Sequence, residues 1–208
     1  RRQRQMCIRD RNNDVDHDFR QNSDLFYLTG FDEPESTALL FKDEEGARFE
    51  MIVRPKDKLR EIWDGYRSGV EGAKTDYAAH DAHVIAERDD VLLKSLKGRH
   101  TLYYALGEHD ELDPLILKML AKFRRQKRAN QSGPSLVKDP GPVLHEMRLI
   151  KSEEEIARLQ AAADITVEAH NAAMRALKPG MNERQIQAVV EGTFRALGSE
   201  RNGYPCII

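Results

Sequence analysis

Phe19-Arg20-Gln21-Asn22-Ser23-Asp24-Leu25-Phe26-Tyr27-Leu28-Thr29-Gly30-Phe31-Asp32-Glu33-Pro34-Glu35 opens on polar and charged residues, passes through an aromatic-rich apolar run, and stops at Gly30 and Pro34. The run Leu25–Thr29 predicts a strand, because aromatic residues suit a pleated, half-buried surface. Gly30–Glu35 predicts a turn, since Pro34 has no N–H to give to a strand ladder. Thr37–Lys42 and Arg48–Val53 read as two further strands joined by the acidic turn Asp43–Gly46. An antiparallel meander is the economical topology for three such runs.

Outward from this stretch, His80–Leu96 reads as a helix and Thr101–Ala105 as a short buried strand. Asp110–Arg125 is a further helix, with Leu112, Leu115, Ile116, Met119 and Phe123 at helical spacing. Strands with covering helices make an α/β layer domain. Residues 126–148 carry Gly133, Pro134, Pro140, Gly141 and Pro142 without periodicity, which is linker composition.

Ser152 and Glu155 then form a capping box. The helix they open carries Ile156, Leu159, Ala163, Val167, His170, Met174 and Leu177 on one stripe and ends at Lys178-Pro179-Gly180. Asn182 caps another helix with Ile186, Val189, Val190 and Leu197 apolar. Two amphipathic helices without a third layer cannot bury both stripes well. Gly203–Ile208 looks like a strand just beginning, and the pair of helices reads as half of a larger domain. Residues 1–11 show no periodicity and are read as disordered or non-native, the hexapeptide Met6–Arg11 resembling adapter read-through.

Composition bounds the class. Hydrophobic residues are 40% and charged residues 33%, which excludes both a disordered tail and a membrane protein. No apolar run approaches the ~20 residues a membrane helix needs. Arg1, Arg2 and Arg4 are followed by no apolar stretch, so no secretory signal is visible. With 33 basic and 35 acidic residues interspersed, net charge is −2 and no nucleic-acid partner is expected. The basic run Lys122, Arg124, Arg125, Lys127 and Arg128 has no interleaved aromatics and reads as a solvated helix end. Cys7 and Cys206 lie at opposite ends of the chain, which is no disulfide framework. A reducing, cytoplasmic setting is expected.

The stretch at 19–35 resembles the F-R-Q-x-S-D-x-x-Y-L-T-G-F-x-E-P-E signature of the N-terminal domain of aminopeptidase P, a family of proline-specific metallo-aminopeptidases. His145-Glu146-Met147-Arg148-Leu149-Ile150-Lys151, followed by Glu155-Ile156, resembles the opening of that family's pita-bread catalytic domain, in peptidase family M24, shared with prolidase. Lys178-Pro179-Gly180-Met181 and Gly203-Tyr204-Pro205 fall in the expected order. The resemblance implies an α/β fold: a mixed-sheet creatinase/aminopeptidase P-type domain over 12–143, then over 144–208 the first helices of an incomplete α+β pita-bread domain. It also implies a helix and a strand ahead of Arg11, so that the chain reads as clipped at both ends.

By the same resemblance, the activity expected of the parent is release of the N-terminal residue preceding proline from peptides. Two divalent ions, typically manganese, would be held by two Asp, one His and two Glu, lowering the pKa of a shared water and stabilising the oxyanion. All five ligands are expected beyond Ile208, so no catalytic residue and no metal ligand is assigned in this chain, and the chain alone is expected to be inactive.

Two positions carry over as substrate-pocket candidates. Tyr204 matches an aromatic lining the pocket beside the metals. Trp63, the one tryptophan, matches an N-domain residue that reaches a neighbouring subunit's active site in oligomeric relatives, and its polar, Gly-flanked surroundings read as a loop. Arg124 and Arg125 lie near an inter-domain arginine of relatives. A homo-oligomer is implied. Prolidase, a creatinase-type hydrolase working without metal, and a peptide-binding module of the same fold remain as alternatives.

Other clusters read more plainly. Asp14-Val15-Asp16-His17-Asp18 crowds its carboxylates onto alternate faces of an extended chain and lacks an EF-hand glycine and glutamate, so it reads as a solvated loop. His80 and His83 sit three apart on the expected helix but have no further ligands nearby to complete a tetrahedral shell. His170 reads as a hydrogen-bonded core histidine. Gly65-Tyr66-Arg67-Ser68-Gly69 lacks the ending of a phosphate loop.

Overall fold

The computed structural model describes residues 4–5, 17–43, 46–125 and 132–208. The chain divides into two compact units, Arg1–Leu144 and His145–Ile208. Within residues 1–11, read as disordered or non-native, Arg4–Gln5 instead pair as a strand with His17–Asp18, while the rest of 1–11, the Asp43–Gly46 turn chemistry and most of Asp14–Asp18 lie outside the described residues.

The first unit begins with a minimal antiparallel pair, β1 (Arg4–Gln5) and β2 (His17–Asp18). Its main sheet has three strands in the order β3 (Thr37–Asp43), β4 (Gly46–Val53), β5 (Asp81–Val84). β3 and β4 form the expected antiparallel hairpin, with Thr37 opposite Ile52. β5 instead joins β4 in parallel, pairing Glu50 with Asp81 and Val53 with Val84. A parallel neighbour requires a crossover, supplied by α2 (Lys58–Asp64) and α3 (Gly69–Thr75).

Being central, β4 is buried on both faces from Glu50 to Val53. Met51 and Val53 pack with Phe31, Ala73, Ala79 and Ala82 on one side. Ile52 packs on the other with Leu92 and Leu96 of α4 (Arg88–Leu96) and Ile116, Met119, Leu120 and Phe123 of α5 (Leu112–Arg125). A second parallel pair, β6 (Thr101–Tyr103) with β7 (Leu136–Lys138), brackets α5.

Several sequence expectations fail here. Leu25–Thr29 is not a strand of the sheet but part of helix α1 (Ser23–Thr29). Asn22 Oδ1 accepts from the N–H of Asp24 and Leu25 at 2.9 and 3.0 Å, and Gly30, at φ +68°, closes the helix with its N–H on Phe26 O. An Asn cap and a left-handed Gly override the aromatic preference for a strand. The meander is therefore only the β3–β4 hairpin.

His80–Leu96 is not one helix: β5 comes first, then a 3₁₀ turn at Ile85–Glu87, then α4. Parallel pairing with β4 claims its first half, a tertiary contact that local preference cannot show. Residues 126–148 are not only linker, since β7 and α6 (Gly141–Leu149) lie among the described ones. Pro142 falls in the first turn of α6, where a missing N–H costs nothing, and Asp139 Oδ1 accepts the Gly141 N–H at 2.7 Å.

In the second unit α7 (Glu153–Ala176) opens on the expected capping box: Ser152 Oγ accepts from Glu155 N at 3.2 Å, and Glu155 Oε2 accepts from Ser152 N at 2.8 Å. α8 (Glu183–Ala196) opens on a second box, Asn182 with Gln185. Ala169 and Val190 are the buried residues of the two helices. Ile156, Leu159, Val167, Met174 and Leu177 stay exposed, as a two-helix unit requires. His170 shares that stripe and is exposed too, so it is not a core histidine. Gly203–Ile208 forms no strand, pairing with no strand among the described residues. Among the described residues no helix is long and apolar enough to cross a membrane.

Candidate functional site

Trp63 lies on helix α2 rather than in a loop. Asp57 starts that helix by accepting from the N–H of Leu59 and Arg60 at 3.0 and 3.1 Å. Gly65, at φ +91°, ends it with its N–H on Glu61 O. Leu59, Ile62, Trp63 and Tyr66 recur at one-turn spacing and all face water, Trp63 being 80% exposed. Lys56 Nζ stands 4.9 Å above the Tyr66 ring.

The turn Gly30–Glu35 is tied to residues on either side of this helix, Arg54 before it and Ser68 after it. Phe31 is fully buried and meets Tyr77 edge-on at 4.8 Å. Gln21 Nε2 donates to Glu33 O at 2.8 Å and to Ser36 Oγ at 3.0 Å, tying both ends of the signature together. The Glu33 side chain is 2% exposed. Its Oε1 accepts the Ser68 N–H at 2.6 Å, and its Oε2 lies 3.6 Å from Arg54 Nη2. Burial pushes the Tyr77 phenol up, while its hydrogen bond with Ser68 pulls it down. The buried acid of this turn is held by the chain itself, through Ser68 and Arg54.

Tyr204, in the second unit, is 74% exposed. The residues around it are tied to α8 through Glu191, whose Oε1 accepts from Gln187 Nε2 and Asn202 Nδ2, each at 2.9 Å. Asn202 Nδ2 also reaches Cys206 Sγ at 3.5 Å. Hydrogen bonds from Gln187, then Cys206 and Asn202, hold the Glu191 carboxyl below the usual glutamate range. Burial first, and the Glu191 carboxylate second, push the Cys206 thiol up. A depressed carboxyl stabilises when charged, so this tether is complete above the ordinary glutamate value of about 4.3 and lost as pH falls through the lower folded value. Amide exchange at Asn202–Cys206 is therefore expected to rise below about pH 4 and, in Glu191→Gln, to become independent of that titration. Equal pH dependence in Glu191→Gln would show that another group holds the segment.

A polar cluster that sequence reasoning missed lies on the main sheet. His83 sits on β5, not on a helix, and its Nε2 is 3.6 Å from Glu50 Oε2 and 3.8 Å from Asp81 Oδ2. Glu50 is buried and bonded to Arg48, while Asp81 accepts from Lys74 Nζ at 2.8 Å. The Lys74 hydrogen bond holds the Asp81 carboxyl low and the Lys74 ammonium high. Arg48, Glu50, Asp81 and His83 line a cleft of about 550 Å3 together with residues of α4, and the parallel register brings Glu50, Asp81 and His83 together. His80 is separate, its Nδ1 accepting from Phe49 N at 3.2 Å.

Lys122, Arg124 and Arg125 are exposed in the last turn of α5, where cations complement the helix dipole. Lys127 and Arg128 lie outside the described residues. Among the described residues no three His, Cys, Asp or Glu are arranged to hold a metal ion. A two-metal centre does not fit the side chains described here.

Residues 7–103 match the family model described as Aminopeptidase P, N-terminal domain, and residues 157–208 that of Metallopeptidase family M24. The Xaa-Pro aminopeptidase of Escherichia coli K12 is 36% identical over 95% of this chain and 45% of its own length. That of Haemophilus influenzae is 38% identical over 88% of this chain and 40% of its own length. Among solved structures, aminopeptidase P from E. coli in its low-pH form superposes with a TM-score of 0.85 at 37% identity, covering 91% of this chain and 43% of that one. Proline aminopeptidase P II from Yersinia pestis gives a TM-score of 0.85 at 38% identity, over 91% and 44%. The chain thus spans less than half the length of these relatives.

Proposed function

The chain belongs to the aminopeptidase P family, carrying that family's N-terminal domain and the opening of its M24 domain, and from this we propose that the whole protein is a metalloaminopeptidase that releases the N-terminal residue preceding proline. The observation that supports the reading most is the extent of the match, 95% of these residues against an Xaa-Pro aminopeptidase at 36% identity. We take the domain boundary near 143/144. The metals are proposed to be two divalent ions, manganese by preference, bound by residues other than those described here.

The described residues would contribute access and contact rather than chemistry. Trp63, on an exposed helix, suits contact with substrate or with a neighbouring subunit of a homo-oligomer. Tyr204, exposed and anchored through its neighbours to α8, suits the wall of a peptide pocket. A cytoplasmic location is proposed from the cysteine usage alone.

The test is substrate length. The whole protein, supplied with manganese, is expected to release the first residue from peptides of three or more residues with proline second. Cleavage of X-Pro dipeptides alone would make it a prolidase, and no cleavage of either would favour a creatinase-type hydrolase or a peptide-binding module.

A further inference from the structure

The segment from Arg54 to Ser68 leaves the end of β4, forms α2 with Trp63 on its outer face, and returns at the start of α3. We infer that Glu33 is a positioning residue for Trp63: one buried carboxylate clamps both ends of the excursion that presents it. This rests on the reading of Trp63 as a substrate or subunit contact, but the clamp is measurable without it.

The clamp has two arms. Glu33 Oε1 accepts the backbone N–H of Ser68 at 2.6 Å, which fixes the return. Glu33 Oε2 lies 3.6 Å from Arg54 Nη2, which fixes the departure. The second arm is coulombic, because among the described residues Oε2 has no hydrogen-bond donor within range. Both side chains are nearly sealed from water, 2% and 8% exposed, so their attraction is little screened and separating them is costly.

A steric contact closes the same base. Gly69 has φ +65°, and a Cβ there would stand 3.0 Å from Lys56 Cβ and 3.2 Å from its backbone N. The two limbs therefore touch, as in a compact loop with adjacent ends. The main chain that carries the carboxylate is held too, since Gln21 and Ser36 both donate to the Glu33 backbone carbonyl.

Holding Leu59, Ile62 and Trp63 still in water gains the fold little, because exposed side chains do not offset the entropy of ordering them. The gain comes on contact, when a surface fixed in advance loses less freedom. The signature thus serves Trp63 from the two ends of its segment: its glutamate sets where the tryptophan stands.

Trp63 is the only tryptophan, so its fluorescence reports this segment alone. In the 208-residue chain, Glu33→Ala is expected to add a nanosecond component to the Trp63 anisotropy decay, absent from the parent chain, with far-UV circular dichroism unchanged. Glu33→Gln keeps an acceptor for Ser68 but loses the charge facing Arg54, and should give a smaller component of the same kind. Tyr104→Phe, which breaks a hydrogen bond to Asp113 away from the clamp, should leave the decay unaltered. An unaltered decay in folded Glu33→Ala, or an equal change in Tyr104→Phe, overturns the inference. Should Glu33→Ala fail to fold, Glu33→Gln decides, and an unaltered decay there overturns it. Loss of the contact reading through unchanged Trp63→Ala kinetics would leave these outcomes as they are.

Discussion

Phe31→Ala is expected to remove about 3–5 kcal/mol of stability, the range for deleting a fully buried aromatic ring. The ring is 0% exposed and packs among Met51, Val53, Ala73, Ala79 and Ala82, with Tyr77 edge-on against it. Glu33, two residues further on, is held by Gln21 and Ser68, so the backbone is poorly placed to collapse into the space left. Small alanines facing it cannot fill that space either. Urea unfolding followed by far-UV circular dichroism should show the midpoint lowered by roughly 2 M with unchanged slope, given slopes of about 1–3 kcal/mol/M. A loss under about 1 kcal/mol would mean that the site repacks and that Phe31 does not anchor this face of the sheet.

Trp63→Ala is expected to behave in the opposite way, affecting activity and not stability. The side chain is 80% exposed, so its removal should move the unfolding midpoint within the range of surface changes, about 0.5 kcal/mol. If the whole protein has the proposed activity, its kcat/KM on longer peptides should fall roughly tenfold, a transition-state loss of about 1.4 kcal/mol, with bound metal unchanged. Aromatic residues that fill a partner's pocket commonly carry such a share of contact energy. Unaltered kinetics would leave Trp63 an ordinary surface tryptophan and would remove the proposed role of α2. A parallel drop in metal content would point to misfolding instead.

Much of the fold was legible where the decisive interactions are local. The caps at Ser152 and Asn182 announce α7 and α8, and the helical spacing of Ile116, Met119 and Phe123 announces α5. The β3–β4 hairpin follows from two apolar runs about a short acidic turn. What failed depends on contacts between distant residues or on weighing two local signals. At Leu25–Thr29 the aromatic run suggested a strand, yet Asn22 and Gly30 bracket it as caps bracket a helix, and the caps won. At Asp81–Val84 only pairing with β4, some thirty residues earlier, makes a strand. His170 fell on a helical stripe that periodicity marks as apolar, but nothing covers that stripe in the second unit.

The site divides in the same way. Trp63 stood out as a lone tryptophan in a polar segment, and its exposure agrees with that setting. Glu33 did not stand out, because acids are rarely buried and composition gives no reason to expect one inside. Its importance appears only when Arg54 and Ser68, more than twenty residues away, converge on it. The cluster of Glu50, Asp81 and His83 was hidden for the same reason, since the parallel register creates it.

The most direct test of the account compares the 208 residues with the whole protein, each given manganese and a peptide with proline second. The 19–35 stretch would then mark family and architecture, and these residues would supply the frame while the chemistry lies elsewhere. The predicted result is release of the first residue by the whole protein and none by the 208-residue chain. Measurable turnover by the 208 residues alone would contradict it.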